Sequence, residues 1–290
     1  MTPPPSYPTW REHARRRLAS NDPDEVESIL DWLVSERTRT SRLELHIHGP
    51  ARWDPPTLAR LHTDLDRLAA REPLAYVLGT APFRSFTLAV SPAVLIPRPE
   101  TEHLIDLVLA DPALKNNPRP SILDIGTGSG CIALALAAAR PEARVIATDL
   151  SPDALDLARA NAASLRLDHR IQFLHASRCG PLPLESIDLI VSNPPYISEN
   201  EWTRLDPCVR DFEPKLALAA GSDGLDLFRQ ILPEAYRVLR PSGVCWLEMG
   251  ETQASAVTRI AREAGFPHIT IHRDLYGKER FLRCSPFEPS

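Results

Sequence analysis

The chain has 290 residues, 43% hydrophobic and 24% charged, with a formal net charge of -5. That length suits one large domain, or a catalytic domain with a small companion. The acidic balance argues against a dedicated nucleic-acid binder, and the longest apolar runs, such as 131–139, are too short to span a bilayer.

Residues 1–8 are Pro-rich and expected to be disordered. No apolar stretch of the secretory kind follows, so a chain that is not exported is expected. From Trp10 to about Ala70 the pattern is helical. Val26, Ile29, Leu30 and Leu33 recur at i, i+3, i+4 and i+7, and Leu58, Leu61, Leu65 and Leu68 form a second stripe. Asp54-Pro55 opens that second helix with a cap residue and a first-turn proline. Such stripes either form the core of a small helical domain or face a partner.

Phe86, Leu88 and Val90 alternate with smaller residues, which predicts a strand in a hairpin. Pro99-Glu100-Thr101-Glu102 opens a helix whose early acids suit the positive end of its dipole. From Pro120 onward, strands and helices alternate. Strands are predicted at 122–125, 144–149, 171–174, 187–192, 244–248, 269–271 and 281–283. Helices are predicted at 131–139, after Ser151-Pro152, near 225–239 and over 253–264. This is the pattern of an α/β fold: a doubly wound, mainly parallel seven-stranded sheet with a small N-terminal helical domain.

Five cysteines stand alone at 131, 179, 208, 245 and 284, with no CxxC pair. A reduced cytoplasmic protein without a structural zinc site is expected. The nine histidines show no metal-ligand spacing, so no metal is expected. His46 and His48 alternate, as on two faces of a short strand or in an exposed loop.

Gly126-Thr127-Gly128-Ser129-Gly130 lies at the first strand-to-helix turn of the alternating region. Open α/β sheets bind ligands there, beyond the carboxyl ends of their strands. A dinucleotide fingerprint would place glycine at 131, where Cys131 stands. Asp149 ends the next strand, where an acid accepts hydrogen bonds from ribose hydroxyls. A glycine-rich turn with a capping Asp is the plain alternative. Loop and acid together point to S-adenosylmethionine.

Asn193-Pro194-Pro195-Tyr196 follows the strand that ends at Ser192. A planar amino or amide nitrogen is a poor nucleophile because its lone pair is delocalised. A site that methylates it must hold the N–H groups with acceptors and leave one face open. The Asn193 side-chain carbonyl and the Pro194 backbone carbonyl are such acceptors. The prolines stiffen the loop, and Tyr196 can stack on a planar group. Asn193, Pro194 and Tyr196 are the expected catalytic residues, and Asn193, Pro194, Pro195 and Tyr196 the expected substrate contacts. A Pro-rich turn with a surface Tyr is the alternative.

The chain resembles the HemK/PrmC family of protein-(glutamine-N5) methyltransferases, which modify peptide chain release factors. The resemblance runs through most of the sequence. It is carried by 71–79, by Val94-Leu-Ile-Pro-Arg-Pro-Glu-Thr-Glu102, by 122–130 and by 190–197. Glu213-Pro214, 221–224, Leu247-Glu-Met-Gly250 and 274–277 match later landmarks. The resemblance implies a Rossmann-like methyltransferase sheet and a class I release factor as protein substrate. It implies methylation of the glutamine in the Gly-Gly-Gln motif, with that amide held by Asn193 through Tyr196, and it implies cofactor contacts from Gly126, Thr127, Gly128, Ser129, Gly130, Asp149 and Asn193. It carries no nucleic-acid or membrane partner, and a monomer is expected. Ser177 and Arg178 stand where the family often has an acid and an aromatic near adenine. Pro82 and Ser85 stand where Glu and Gly are common, which puts the hairpin's shape in question.

The expected domains are 1–72, helical and substrate-docking; 73–98, a hairpin linker; and 99–290, the methyltransferase domain. Glu100 and Glu102 either face the cofactor's ammonium group or are ordinary helix-start charges. Arg98 pairs with an active-site carboxylate or with Glu102. Cys131 is either activated by the helix N-terminus or silenced by burial. The rival functions are a DNA or RNA amino-methyltransferase with the same tetrapeptide, and a non-catalytic binder of S-adenosylmethionine or a translation factor.

Overall fold

The computed structural model describes residues 5–18 and 23–287. They form two compact units. The first holds the described residues up to Gly79 together with Pro207–Phe212; the second holds Thr80–Asp206 and the chain from Glu213 onward.

The first unit contains α1 (Tyr7–Arg17), α2 (Pro23–Thr38), α3 (Arg42–His48), α4 (Pro55–Ala69) and α5 (Leu74–Leu78). Both predicted stripes turn inward: Val26, Leu30 and Leu33 pack with Leu58, Leu61, Leu65 and Leu68 around Trp10. Arg37 pairs with the buried Asp64 at 2.6 Å and donates to the Val77 carbonyl at 2.8 Å. The unit runs past residue 72 to Gly79 because α5 adds Val77 to this core.

Two expectations change here. Of the Pro-rich start, 1–4 lie outside the described residues, but Tyr7 and Pro8 are helical. Ser6 caps α1 and Pro8 falls in its first turn, where a missing N–H does no harm. His46 and His48 are exposed, as one reading had it, but on α3 rather than in a strand or loop. Ser41 and Glu44 form a capping box that starts this helix.

The second unit begins with a hairpin, β1 (Thr80–Phe83) and β2 (Phe86–Ala89). It forms despite Pro82 and Ser85: Pro82 points outward while Phe83 and Leu88 are fully buried. Then come α6 (Pro99–Ala110), α7 (Pro112–Lys115), β3 (Ser121–Ile125), α8 (Cys131–Ala139), β4 (Arg144–Asp149) and α9 (Pro152–Ser164). β5 (Ile171–His175), β6 (Ile187–Ser192) and α10 (Glu199–Trp202) follow. After α11 (Pro207–Arg210), which belongs to the first unit, come α12 (Asp226–Val238), β7 (Leu239–Glu248), α13 (Ala254–Glu263), β8 (His268–Arg273) and β9 (Glu279–Ser285).

The seven strands lie in the order β5-β4-β3-β6-β7-β9-β8. The first five are parallel; β9 runs antiparallel to both β7 and β8. Successive side chains of a strand face opposite sides, so each strand feeds two cores. Ile122, Val145 and Leu189 pack with α6 and α8, whereas Leu123, Ile146 and Ile190 pack with α12 and α13. This is the predicted doubly wound, mainly parallel sheet. Chain direction across it reverses between β3 and β6, and their carboxyl ends open the crevice where such sheets bind ligands. No helix among the described residues is long and apolar enough to cross a membrane.

Candidate active site

The carboxyl ends of β3, β4 and β6 bring the glycine loop, Asp149 and Asn193 to one cavity of about 460 Å³. Gly126, Gly128 and Gly130 have φ of +69°, +53° and +85°, a backbone that other residues adopt with strain. At Gly130 an added Cβ would meet Leu134 Cδ1 at 3.2 Å and Ala158 Cβ at 3.3 Å, so this glycine lets α8 and α9 approach closely.

Three buried or half-buried side chains pin the loop. Thr127 Oγ1 donates to Asp124 Oδ2 at 2.7 Å, and the Ala133 N–H reaches the same oxygen at 3.1 Å. The Gly128 N–H donates to Asp149 Oδ2 at 2.9 Å. Asn161 Nδ2 donates to the Ser129 carbonyl at 2.8 Å and to the Ala89 carbonyl at 3.0 Å, joining the loop to the hairpin. Burial pushes the Asp124 carboxyl up to about 7. Burial likewise pushes the Cys131 thiol up to about 12, which silences it at neutral pH.

Asn193, Pro194 and Pro195 line the same cavity. Tyr196 is half-buried behind them, outside the lining residues. Its backbone carbonyl accepts from Gln253 Nε2 at 2.9 Å, and its hydroxyl donates to Glu248 Oε1 at 3.4 Å. Asn193 Nδ2 donates to Thr101 Oγ1 at 3.0 Å, and Thr101 Oγ1 donates to Glu248 Oε2 at 2.8 Å. Burial, the largest influence, pushes the Glu248 carboxyl up to about 7 and the Tyr196 phenol above its ordinary value.

Residues 9–79 match the PrmC N-terminal domain and residues 107–206 the Methyltransferase small domain. A Cereibacter sphaeroides protein named release factor glutamine methyltransferase is 40% identical over 92% of this chain and 93% of its own length. A Geobacter sulfurreducens protein of the same name is 38% identical, covering 97% of this chain and 98% of itself. The chain belongs to the release factor glutamine methyltransferase family.

Solved structures agree on the fold of such a methyltransferase. The hMettl16 catalytic domain, in complex with MAT2A 3'UTR hairpin 6, superposes with a TM-score of 0.57 at 17% identity, covering 81% of this chain and 83% of that one. A methyltransferase from Pyrococcus furiosus gives 0.52 at 17% identity, covering 81% of this chain and all of its own.

The family's linker element also finds its place. Arg98 pairs with Glu213 rather than Glu102, and the same carboxylate accepts from the Ile96 N–H at 3.2 Å. Arg98 and Pro214 line the cavity, so this pairing shapes its wall. Glu100 and Glu102 stand in the first turn of α6, and neither is among the lining residues. Ser177 and Arg178 do line the cavity, but the Arg178 guanidinium is turned to Glu234 at 2.6 Å and Gln230 at 2.8 Å. Among the described residues no group of three or more His, Cys, Asp or Glu side chains is placed to hold a metal ion. Asn161, Gln253 and the Thr101–Glu248 pair were not singled out from sequence. Each lies inside an ordinary helix or strand end and gains its partner only through the fold.

Proposed function

We infer that this enzyme transfers a methyl group from S-adenosylmethionine to the side-chain amide nitrogen of the glutamine in the Gly-Gly-Gln motif of class I release factors. The observation that carries this reading is near-full-length similarity to release factor glutamine methyltransferases in a chain whose glycine loop, Asp149 and Asn193 line one cavity.

The residues present fit the cofactor. Open backbone at Gly126 and Gly128, where nothing lies within 4 Å of an added Cβ, admits a ligand close to the loop. Gly126 through Gly130 would cradle it, and Asp149 would accept from its ribose. When bound, the cofactor supplies an electrophilic methyl group on a sulfonium. Asn193 would accept an N–H of the glutamine amide through its side-chain carbonyl, and Pro194 a second through its backbone carbonyl. This aligns the nitrogen without a nucleophilic side chain, so position and orientation lower the barrier. Tyr196 would support the site from behind, bracing the tetrapeptide through Gln253 and Glu248.

A single glutamine side chain offers too few contacts to select one protein among many. The helical unit supplies the further docking surface in this reading, and the second unit, including its hairpin, carries the chemistry. The enzyme would act as a monomer in the cytoplasm, with no nucleic-acid or membrane partner. Cys131, Cys179, Cys245 and Cys284 are free thiols, which fits a reducing compartment. Labelled S-adenosylmethionine offered with intact release factor, DNA and RNA tests the target; robust label in duplex DNA would overturn it.

A further inference from the structure

Two segments far from the tetrapeptide in sequence meet beside it, and Thr101 shares its cavity. Thr101 stands in the first turn of α6 and Glu248 ends β7; they are 2% and 1% exposed. The Asn193 amide donates to the Thr101 hydroxyl, which donates to Glu248.

The two arms of an asparagine amide have nearly the same shape and opposite polarity. Which arm faces the cavity depends on what the Thr101 hydroxyl offers, and a hydroxyl has one proton. An ionised Glu248 only accepts, so the hydroxyl must donate its one hydrogen bond there. Thr101 can then only accept from Asn193. The NH2 arm of Asn193 turns to Thr101, and the carbonyl arm is left for the cavity. A protonated Glu248 can itself donate to Thr101 Oγ1, which frees the hydroxyl proton to point at Asn193. That state suits the flipped amide, with its NH2 arm toward the cavity. Such an arm would set donors against the N–H groups of an incoming amide.

We propose that Thr101 and Glu248 are positioning residues that set the polarity of Asn193: ionised Glu248, acting through the Thr101 hydroxyl, turns the Asn193 carbonyl toward the amide to be methylated. The inference deepens the glutamine-amide reading and rests on it. It also gives one task to two sequence elements, 97–102 and 247–250, that lie far apart in the chain.

The groups around Glu248 place this switch near neutrality. Burial pushes its carboxyl up to about 7; Glu100 on α6 adds to the rise. Arg280 on β9 and the hydroxyls of Thr101 and Tyr196 oppose it. Arg98, at the start of α6, favours the charged form of Tyr196 but is not among the main influences on Glu248. The ionised, productive form gains population as pH rises through this value.

The test compares wild type with Thr101→Val, Thr101→Ser and Glu248→Gln in the full-length protein. Single-turnover methylation of an intact release factor is followed from about pH 5.5 to about pH 9, with cofactor affinity by calorimetry and folding by thermal melting. Thr101→Val should lose about tenfold or more in rate at high pH while its cofactor Kd stays within about twofold, and Thr101→Ser should recover most of the rate. The wild-type rate should rise through an inflection near pH 7 that is missing in Thr101→Val and Glu248→Gln. A Thr101→Val rate equal to wild type, or a Glu248→Gln profile that keeps the inflection, would overturn the proposal. Should Thr101→Val fail to fold, the Glu248→Gln profile decides alone. A wild type that does not methylate the release factor defeats the underlying reading; an active wild type matched by Thr101→Val defeats this inference only.

Discussion

The backbone N–H of Gly128 donates to the Asp149 carboxylate at 2.9 Å, tying the middle of the glycine loop to the end of the neighbouring strand. The other carboxylate oxygen accepts from the Ser151 N–H, also at 2.9 Å. Asp149 is therefore oriented before any ligand arrives, and it orients the loop in return. In the proposed reading, Asp149→Ala removes the ribose acceptor and loosens the loop at once. Hydrogen bonds to charged groups contribute about 1.5–3 kcal/mol, so the Kd for S-adenosylmethionine should rise by about tenfold to a hundredfold. Calorimetry measures this directly. Unchanged affinity would show that Asp149 braces the loop without touching the ligand.

Asn193→Ala separates chemistry from cofactor binding. Losing an aligned acceptor at the reacting amide should lower the single-turnover rate about a hundredfold. Cofactor affinity should change by less than about threefold, since the glycine loop and Asp149 remain. A variant that turns over normally would remove Asn193 from the chemistry.

How much of this was legible in the sequence follows from which signals are local. Ile122–Ile125 and Ile187–Ser192 read as strands because strands buried on both faces are nearly continuous apolar runs. The glycine loop was legible because its backbone needs φ above zero at three positions. The antiparallel direction of β9 was not, since seven residues of strand carry no mark of direction. Nor were the long-range partnerships: Thr101 and Glu248 are 147 positions apart, and Arg98 and Glu213 are 115 apart. A threonine in a first helical turn and a glutamate ending a strand look unremarkable until the fold joins them. In α3 the signal is local: Ser41 and Glu44 have capping-box spacing, which outweighs the alternation of His46 and His48.

Asp124 predicts a pH dependence of stability. It is fully buried, and Oδ1 has no partner among the described residues. Its folded value near 7 lies above the ordinary 3.8, so the native state holds the extra proton between those values. Its contribution to stability is therefore present at low pH and is lost as pH rises from about 4 to about 7. Asp124→Asn cannot ionise, and one amide oxygen can still accept from Thr127 and Ala133. Its urea midpoint should gain on wild type as pH rises across that window. A difference that does not vary with pH would contradict the assignment.

The docking role of the helical unit is open to test on α3. Leu43 and Ile47 lie one helical turn apart and are 70% and 61% exposed, so they present an apolar face that the unit's own core does not use. The double variant Leu43→Glu with Ile47→Glu should raise KM for intact release factor about tenfold. It should leave cofactor affinity and activity on a short Gly-Gly-Gln peptide unchanged. Equal losses on protein and peptide, or no loss on the protein, would remove this face from docking.

The identity of the methylated atom decides the function. Incubating the enzyme with intact class I release factor and methyl-labelled S-adenosylmethionine, then mapping the label by peptide mass spectrometry, tests it most directly. One added methyl group is expected on the side-chain nitrogen of the Gly-Gly-Gln glutamine, strongly reduced when Asn193→Ala replaces the wild type. Label on any other residue, or on that glutamine at an equal rate with Asn193→Ala, would contradict it.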